Sequence, residues 1–440
     1  MVWKKYCHPI SGLYDAVYIK IIKGRKNMEI QENRIITRIE TLAAFNMTPG
    51  NGITRFSYSD QDRLARNYIE QQCSLMGISV QTDPLGNIRA RYNGQDNSLP
   101  PVWIGSHIDS VRNGGKYDGV VGVISALEVL NVLYENQITP LRPVELVIFA
   151  EEEGSNFGTT MIGSKAIVGK CDEEYLKQLT AETGHTAYEM IQSFGLAPEH
   201  LEQCRIKKGQ IHAMIEMHVE QGAVLDRKGL TIGVVQAVAG MRTYRIEITG
   251  ESNHAGATPM NMRHDPMTAA AELICDVEKY AQAEVYETTV ATVGEIACIP
   301  NASNVIPQKI QFSVDIRDVQ EDGIESMADY LRCRCTQLAC ERGVSITIHE
   351  IGSSKCIHLS PRITGLIEDV TRQKKLPYQC MNSGAVHDSA MLTEITDVGM
   401  IFVPSVNGKS HNPQEYTEST DIKHGAEVLL ETVCRLMMEK

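Results

Sequence analysis

Two short, predominantly apolar runs, VWIG at 102–105 and VELVIFA at 144–150, bracket GVVGVISALEVLNVLYE at 119–135, whose apolar spacing and length read as a helix. Apolar runs without polar alternation are strands buried on both faces, the situation of a parallel sheet covered by helices on each side. The chain is therefore expected to be an α/β protein built on a mixed, mostly parallel sheet. In such open sheets the loops leaving the carboxyl ends of the strands form the crevice where chemistry is done.

A first helix is expected from Met28, in EIQENRIITRIETLAAF, and a second over 60–76, where Ser59 or Asp60 can cap it. From about Leu230 the pattern changes. TIGVVQAV and TYRIEITG read as strands of a half-exposed sheet, PMTAAAELICDVEKYAQ as a helix, QKIQFSVDIRDV as a strand, 323–342 as a helix and VSITIHEI as a strand. This β, α, β, β, α, β-like run predicts an inserted α+β, ferredoxin-like domain with an antiparallel sheet. At 440 residues the chain exceeds what one core usually serves. The expected division is 28–229 and 348–440 for the first domain and 230–347 for the insert. Residues 1–27 are basic and unpatterned, either upstream sequence read as coding or an ordinary N-terminal arm.

A formal charge of −13 disfavours nucleic acid and anionic membranes as partners. Twelve cysteines without a CxxC pair fit a reducing compartment better than a disulfide framework. No window approaches the roughly 20 apolar residues of a membrane span, and the N-terminus lacks the apolar core of a signal peptide. A cytoplasmic location is expected.

Four polar clusters stand where apolar strands end. In WIGSHIDSVRNGGKYDG, His107 and Asp109 follow a strand and Asp118 precedes a helix; an imidazole and a carboxylate suit zinc or a similar ion, and a further carboxylate can bridge two ions. A solvated loop would read the same way. FAEEEGSNFGT places three acids together, which repel one another unless a cation or shared proton compensates. An acidic loop facing water is the bland alternative. IEMHVEQG sets His218 within a strand-like stretch, where a satisfied core histidine is the usual reading. His411, in IFVPSVNGKSHNPQEYT, again follows a strand and a glycine-containing loop. Each is weak alone, but three histidines and several carboxylates at strand ends make a coherent site.

These clusters occur in the same order in the zinc-dependent metallopeptidase-like amidohydrolases. The chain resembles the branch containing N-carbamoyl-L-amino-acid hydrolases, allantoate amidohydrolases and β-ureidopropionases. The resemblance runs from about Met28 to the C-terminus and rests on GSHIDSV, GGKYDG, AEEEGSNF, HVEQG, NHAGATPM, SNVIP, DIR and HNPQE. It implies two divalent ions, zinc first, with manganese or cobalt as alternatives. His107 and His218 resemble the terminal ligands of one ion, His411 and Glu153 those of the other, and Asp118 the bridging carboxylate. Glu152 resembles the general base and Asp109 the carboxylate that orients a metal-bound histidine. His254 looks like the donor to the developing oxyanion. Asn304 and Arg317 resemble the pair that holds the substrate carboxylate, a task suited to the guanidinium fork, although a strand-end salt bridge is the plain alternative for Arg317. Gln221 and His387 resemble further substrate contacts. Where the branch commonly has glycine before the histidine of SGAGHD, this chain has Val386.

The implied reaction is hydrolysis of the carbamoyl C–N bond of a small ureido carboxylate, such as an N-carbamoyl-L-amino acid or allantoate, releasing ammonia and carbon dioxide. The resemblance also implies a homodimer formed through the insert, which closes over substrate. An aminoacylase or small peptidase of the same superfamily is the nearer alternative, and a non-catalytic binding protein the more distant one.

Overall fold

The structure, a computed structural model, describes residues 28–283 and 285–439; the expectation for 1–27 lies outside them. The chain divides into two compact units. One reaches to Gln236 and resumes over Leu359–Met381 and from His387 onward; the other comprises Ala237–His358 and Asn382–Val386.

The first unit is built on a nine-stranded sheet. Its centre is four parallel strands in the order Val144–Phe149, Val102–His107, Ala213–Val219 and Asp397–Val403. The first three are buried at every residue, as their mainly apolar sequences favour, and the few polar residues in them, such as Glu145 and Glu216, are buried with hydrogen-bond partners. Between the first two in sequence runs the Val120–Glu135 helix, buried from Val120 to Leu133. It packs on the strands from inside and against the Glu32–Ala43 and Ser419–Leu436 helices from outside. The Asp60–Leu75 helix is capped by Ser59, whose hydroxyl accepts from Asp62 N at 3.2 Å.

Two expectations need correction. The sheet is parallel only at its centre: Ile88–Tyr92 and Ser79–Thr82 add antiparallel strands on one side and Ile232–Val238 on the other. A short turn joins the first of these pairs, and such a turn closes only an antiparallel one. TIGVVQAV does not belong to a half-exposed sheet, because Ile232–Val238 lies in the large sheet beside Asp397–Val403 and exposes Gln236 alone. Its near-continuous apolar run is a signal of burial on both faces.

The second unit carries an antiparallel five-stranded sheet whose main path is Ile296–Ile299, Lys309–Asp318, Gly240–Thr249 and Ser345–Ser354. The Pro266–Ala283 and Glu321–Arg342 helices pack on it, enclosing Ile246, Ile248, Leu273, Phe312, Val314 and Leu331. Along Lys309–Asp318 every second residue is buried, from Ile310 to Asp318. Asp315 and Arg317 therefore share the opposite face.

One buried charge ties the Glu32–Ala43 helix to the Val120–Glu135 helix under the site. Glu128 is fully buried and accepts from Arg34 Nε at 2.6 Å and Gln31 N at 2.9 Å, with Arg38 Nη1 at 3.4 Å. Removing one member leaves the buried Arg38 cation uncompensated. Glu128→Ala should therefore cost about 3–5 kcal/mol in equilibrium denaturant unfolding; a loss below about 1 kcal/mol, the size of an exposed pair, would show that water screens the cluster.

Candidate metal centre

Because the four central strands are parallel, their carboxyl ends lie along one edge of the sheet. His107 ends the first of them in sequence and Glu151, Glu152 and Glu153 follow the second. His218 is the penultimate residue of the third, and the loop after the fourth carries Ser405, Ser410 and His411. Asp118 stands immediately before the N-terminal end of the Val120–Glu135 helix.

These side chains converge on Asp118. Its Oδ1 lies 3.1 Å from His218 Nε2 and 3.5 Å from His107 Nε2. Its Oδ2 lies 3.3 Å from His411 Nε2, which is also 3.3 Å from Glu153 Oε2. Glu152 Oε2 is 3.9 Å from His107 Nε2. Two sets of donor atoms, His107–Asp118–His218 and Asp118–Glu153–His411, are each mutually within 4.8 Å. The Nδ1 atoms of His107 and His218 face the carbonyl oxygens of Asp109 and Val219 at 3.1 and 2.9 Å. Donation there leaves each Nε2 as the acceptor atom facing the cluster, where that of His218 also accepts from Gly119 N at 3.2 Å.

The electrostatics fit a cation. Burial opposes charge on Asp118, yet His218, His107 and His411 hold its carboxyl well below the usual range. Burial opposes protonation of His107 and His218, but the carboxylates around them raise both imidazoles, and the Asp118 contact carries His411 to about 9. Burial and Asp118 push Glu153 up to about 7, and burial holds Glu152 well above the ordinary value, with Glu153, Asp388 and Asp109 adding to it against His107. Glu153 Oε1 and Gln221 Oε1 are buried without a hydrogen-bond partner. Unpaired buried acceptors are costly. Imidazole and carboxylate donors so arranged fit zinc, manganese or cobalt.

The three adjacent acids divide their work. Glu151, at φ 51°, turns away to accept from Asn156 N and Nδ2, while Glu152 and Glu153 face the histidines. The Asp109 carboxylate accepts from Glu153 N at 3.1 Å and stands 3.5 Å from His107 Nδ1. It therefore holds the acidic loop, while the closer contact to the His107 ring is its own carbonyl. Gln221 Nε2 donates to Asp118 Oδ2 at 2.8 Å. His387 is buried, its ring centroid 4.6 Å from that of His218. Burial and His218 keep its imidazole well below the ordinary value.

Sequence alone does not single out Glu415. Its buried carboxylate accepts from Tyr117 N at 2.8 Å, from Asp118 N at 3.0 Å and from Ser410 Oγ at 3.1 Å. Ser410 has a single hydroxyl proton, which it shares between Glu415 and Asp118 Oδ2, the latter at 2.9 Å. One acid thus pins the loop of Asp118 to the loop of His411. A Cβ at Gly115 would lie 2.1 Å from the Glu415 carboxyl carbon, and one at Gly119, where φ is +64°, would lie 2.5 Å from the His107 ring. Both glycines admit a close approach that no other residue allows. The signal for Glu415 is only its place in HNPQE.

The remaining expected residues lie in the second unit. Asn253–His254 pairs with Val305–Ile306, and Asn304 O accepts from Ala255 N at 3.0 Å. His254 and Asn304 are exposed. Arg317 gives Nε to Asp315 Oδ1 and Nη1 to Gly384 O, each at 2.8 Å, so the salt-bridge alternative raised by the sequence is present.

Comparison with known proteins places this chain in a family. The profile of Peptidase family M20/M25/M40 matches residues 103–435, and the chain belongs to that family. It is 35% identical over 400 residues to the N-carbamoyl-L-amino-acid amidohydrolase of Paenarthrobacter aurescens, covering 91% of this chain and 97% of the other. It is 32% identical to the allantoate amidohydrolase of Escherichia coli, with 91% and 96% covered. A crystal structure of an amidase of the hydantoinase/carbamoylase family from Burkholderia multivorans superposes with a TM-score of 0.88 at 32% identity, covering 94% of this chain and 99% of that one.

Glu415→Ala should weaken divalent-metal affinity by about 10–100-fold, the usual effect of losing a group that orients a ligand. Glu415→Gln, which keeps an acceptor for the two N–H groups, should lose much less. Metal-buffered dialysis with elemental analysis reads both, and equal losses would show that charge rather than position is what Glu415 supplies.

Proposed function

We propose that this chain is a two-metal amidohydrolase acting on the carbamoyl C–N bond of a small ureido carboxylate, such as an N-carbamoyl-L-amino acid or allantoate. The observation that carries the reading is the split environment of Asp118, with His107 and His218 at one oxygen and His411 at the other. That split supports a carboxylate shared between two cations. His107, His218 and Asp118 would hold one ion, and Asp118, Glu153 and His411 the other, zinc being the first choice. When bound, such ions supply Lewis acidity and lower the pKa of water.

Glu152 is the proton carrier in this reading. As the carboxylate it takes a proton from the attacking water, a step that its burial and acidic neighbours favour by raising its proton affinity, and it returns that proton to the departing nitrogen. His254 supplies the oxyanion donor: its Nδ1 accepts from Gly256 N and Ala257 N at 3.0 and 3.2 Å, which leaves the proton of the neutral ring on Nε2. Arg317, oriented by Asp315 and Gly384, binds the substrate carboxylate together with Asn304, while Gln221 and His387 complete the contacts. One water is consumed, and the products are ammonia, carbon dioxide and the freed amino compound.

The reading gives the metal chemistry to the first unit and makes the insert, expected over 230–347 and forming the unit Ala237–His358 with Asn382–Val386, a lid and dimerisation surface that also supplies substrate contacts. It also sets the enzyme in the cytoplasm, in keeping with cysteines that are unpaired among the described residues. Among those residues no helix is long and apolar enough to cross a membrane.

Glu152→Gln should lower turnover by about 10²–10⁴-fold with metal content unchanged; full turnover would remove Glu152 from the mechanism. The substrate class is read by ammonia release from the zinc- or manganese-loaded protein. Allantoate, N-carbamoyl-L-amino acids, N-carbamoyl-β-alanine, an N-acyl amino acid and a dipeptide make up the panel. Ammonia from a ureido acid is expected, and amino acid freed only from the last two would move the chain to the aminoacylase or peptidase reading.

A further inference from the structure

The turn after His254 contains a second layer of organisation. His254 O accepts from Thr258 N at 3.1 Å and Thr258 Oγ1 at 2.9 Å, closing His254–Thr258 on itself. Within that turn the N–H groups of Gly256 and Ala257 point at His254 Nδ1. The carbonyls of Ala255 and Thr258 must then be satisfied elsewhere, and one side chain takes both. Arg263 Nη2 donates to Ala255 O at 2.6 Å and to Thr258 O at 3.0 Å, and its Nε donates to Thr258 O at 3.1 Å.

We propose that Arg263 is a positioning residue for His254, clamping the turn so that Gly256 and Ala257 hold the imidazole with its proton on Nε2. The proposal rests on the reading of His254 as the oxyanion donor. His254 is exposed, so surrounding core does not fix its ring. Its orientation depends on two backbone N–H groups whose own peptides can rotate. A planar guanidinium bridging the carbonyls on either side of Gly256 and Ala257 opposes that rotation, while a lysine ammonium lacks the fork to reach both with fixed geometry. Without the clamp the N–H groups swing away, Nδ1 becomes free to carry the proton, and the ring presents an acceptor where a donor is needed.

The test uses Arg263→Lys and Arg263→Ala in the full-length, manganese-loaded protein, with N-carbamoyl-L-alanine as probe substrate. Loss of a preorganised donor predicts that kcat falls by about tenfold or more with KM little changed, and that the fall disappears in a His254→Ala background. The ¹⁵N spectrum of the His254 ring, recorded in mildly alkaline buffer where imidazole is neutral, should show Nε2–H in the parent and a mixture of tautomers in both variants. An unchanged ring spectrum in folded Arg263→Lys would overturn the proposal, as would an equal loss of kcat with and without His254. Full turnover by His254→Ala would instead sink the donor reading, and the ring spectrum would still decide what Arg263 does.

Discussion

A buried carboxylate between three imidazoles is the constraint around which the first unit is organised. Asp118 is 5% exposed and cannot be solvated, so its charge has to be met by what surrounds it. His107, His218 and His411 meet it from three different strand ends, and Gln221 and Ser410 add donors to Oδ2. Such a meeting requires adjacent parallel strands, because only then do their carboxyl ends fall on one edge. The apolar interior of those strands anchors the backbone from which the ligands project, and rigid elements keep a polar cluster from relaxing.

Around that centre the chain spends conformational freedom and buried polarity where ordinary packing would not. Glu151, Gln221 and His411 all adopt positive φ, a strained state for residues with a Cβ and one that gathers at working sites. Three consecutive acids are kept at one strand end, although burial raises all of them, Glu151 to about 8. Glu415 and Asp109 add further buried carboxylates whose hydrogen bonds hold the loops of Asp118 and Glu153. This concentration of acid disfavours a metal-free state and is coherent if cations complete it.

The strands that carry the site are legible because their sequences are mainly apolar, and the polar residues at their ends stand out by contrast. What is not legible follows from interactions remote in sequence. Ile232–Val238 reads locally like neighbouring strands of the insert, and only its pairing with Met400, Ile401 and Phe402 assigns it to the large sheet. The antiparallel edge formed by Ser79–Thr82 and Ile88–Tyr92 is short and weakly patterned, so local pattern extends the parallel centre too far. Glu415 acts on a backbone N–H 297 residues away, which no local motif announces. Nor can the run of three acids say which member turns away, because the positive φ at Glu151 breaks the alternation that would have ordered them.

The central claim is that Asp118 is shared by two divalent ions. Native mass spectrometry of the zinc-loaded chain, beside Asp118→Asn prepared in the same way, counts them directly. The account predicts two ions per chain in the parent and fewer in the variant, with the fold retained. A parent that binds a single ion, or a variant that still binds two as tightly, would contradict it.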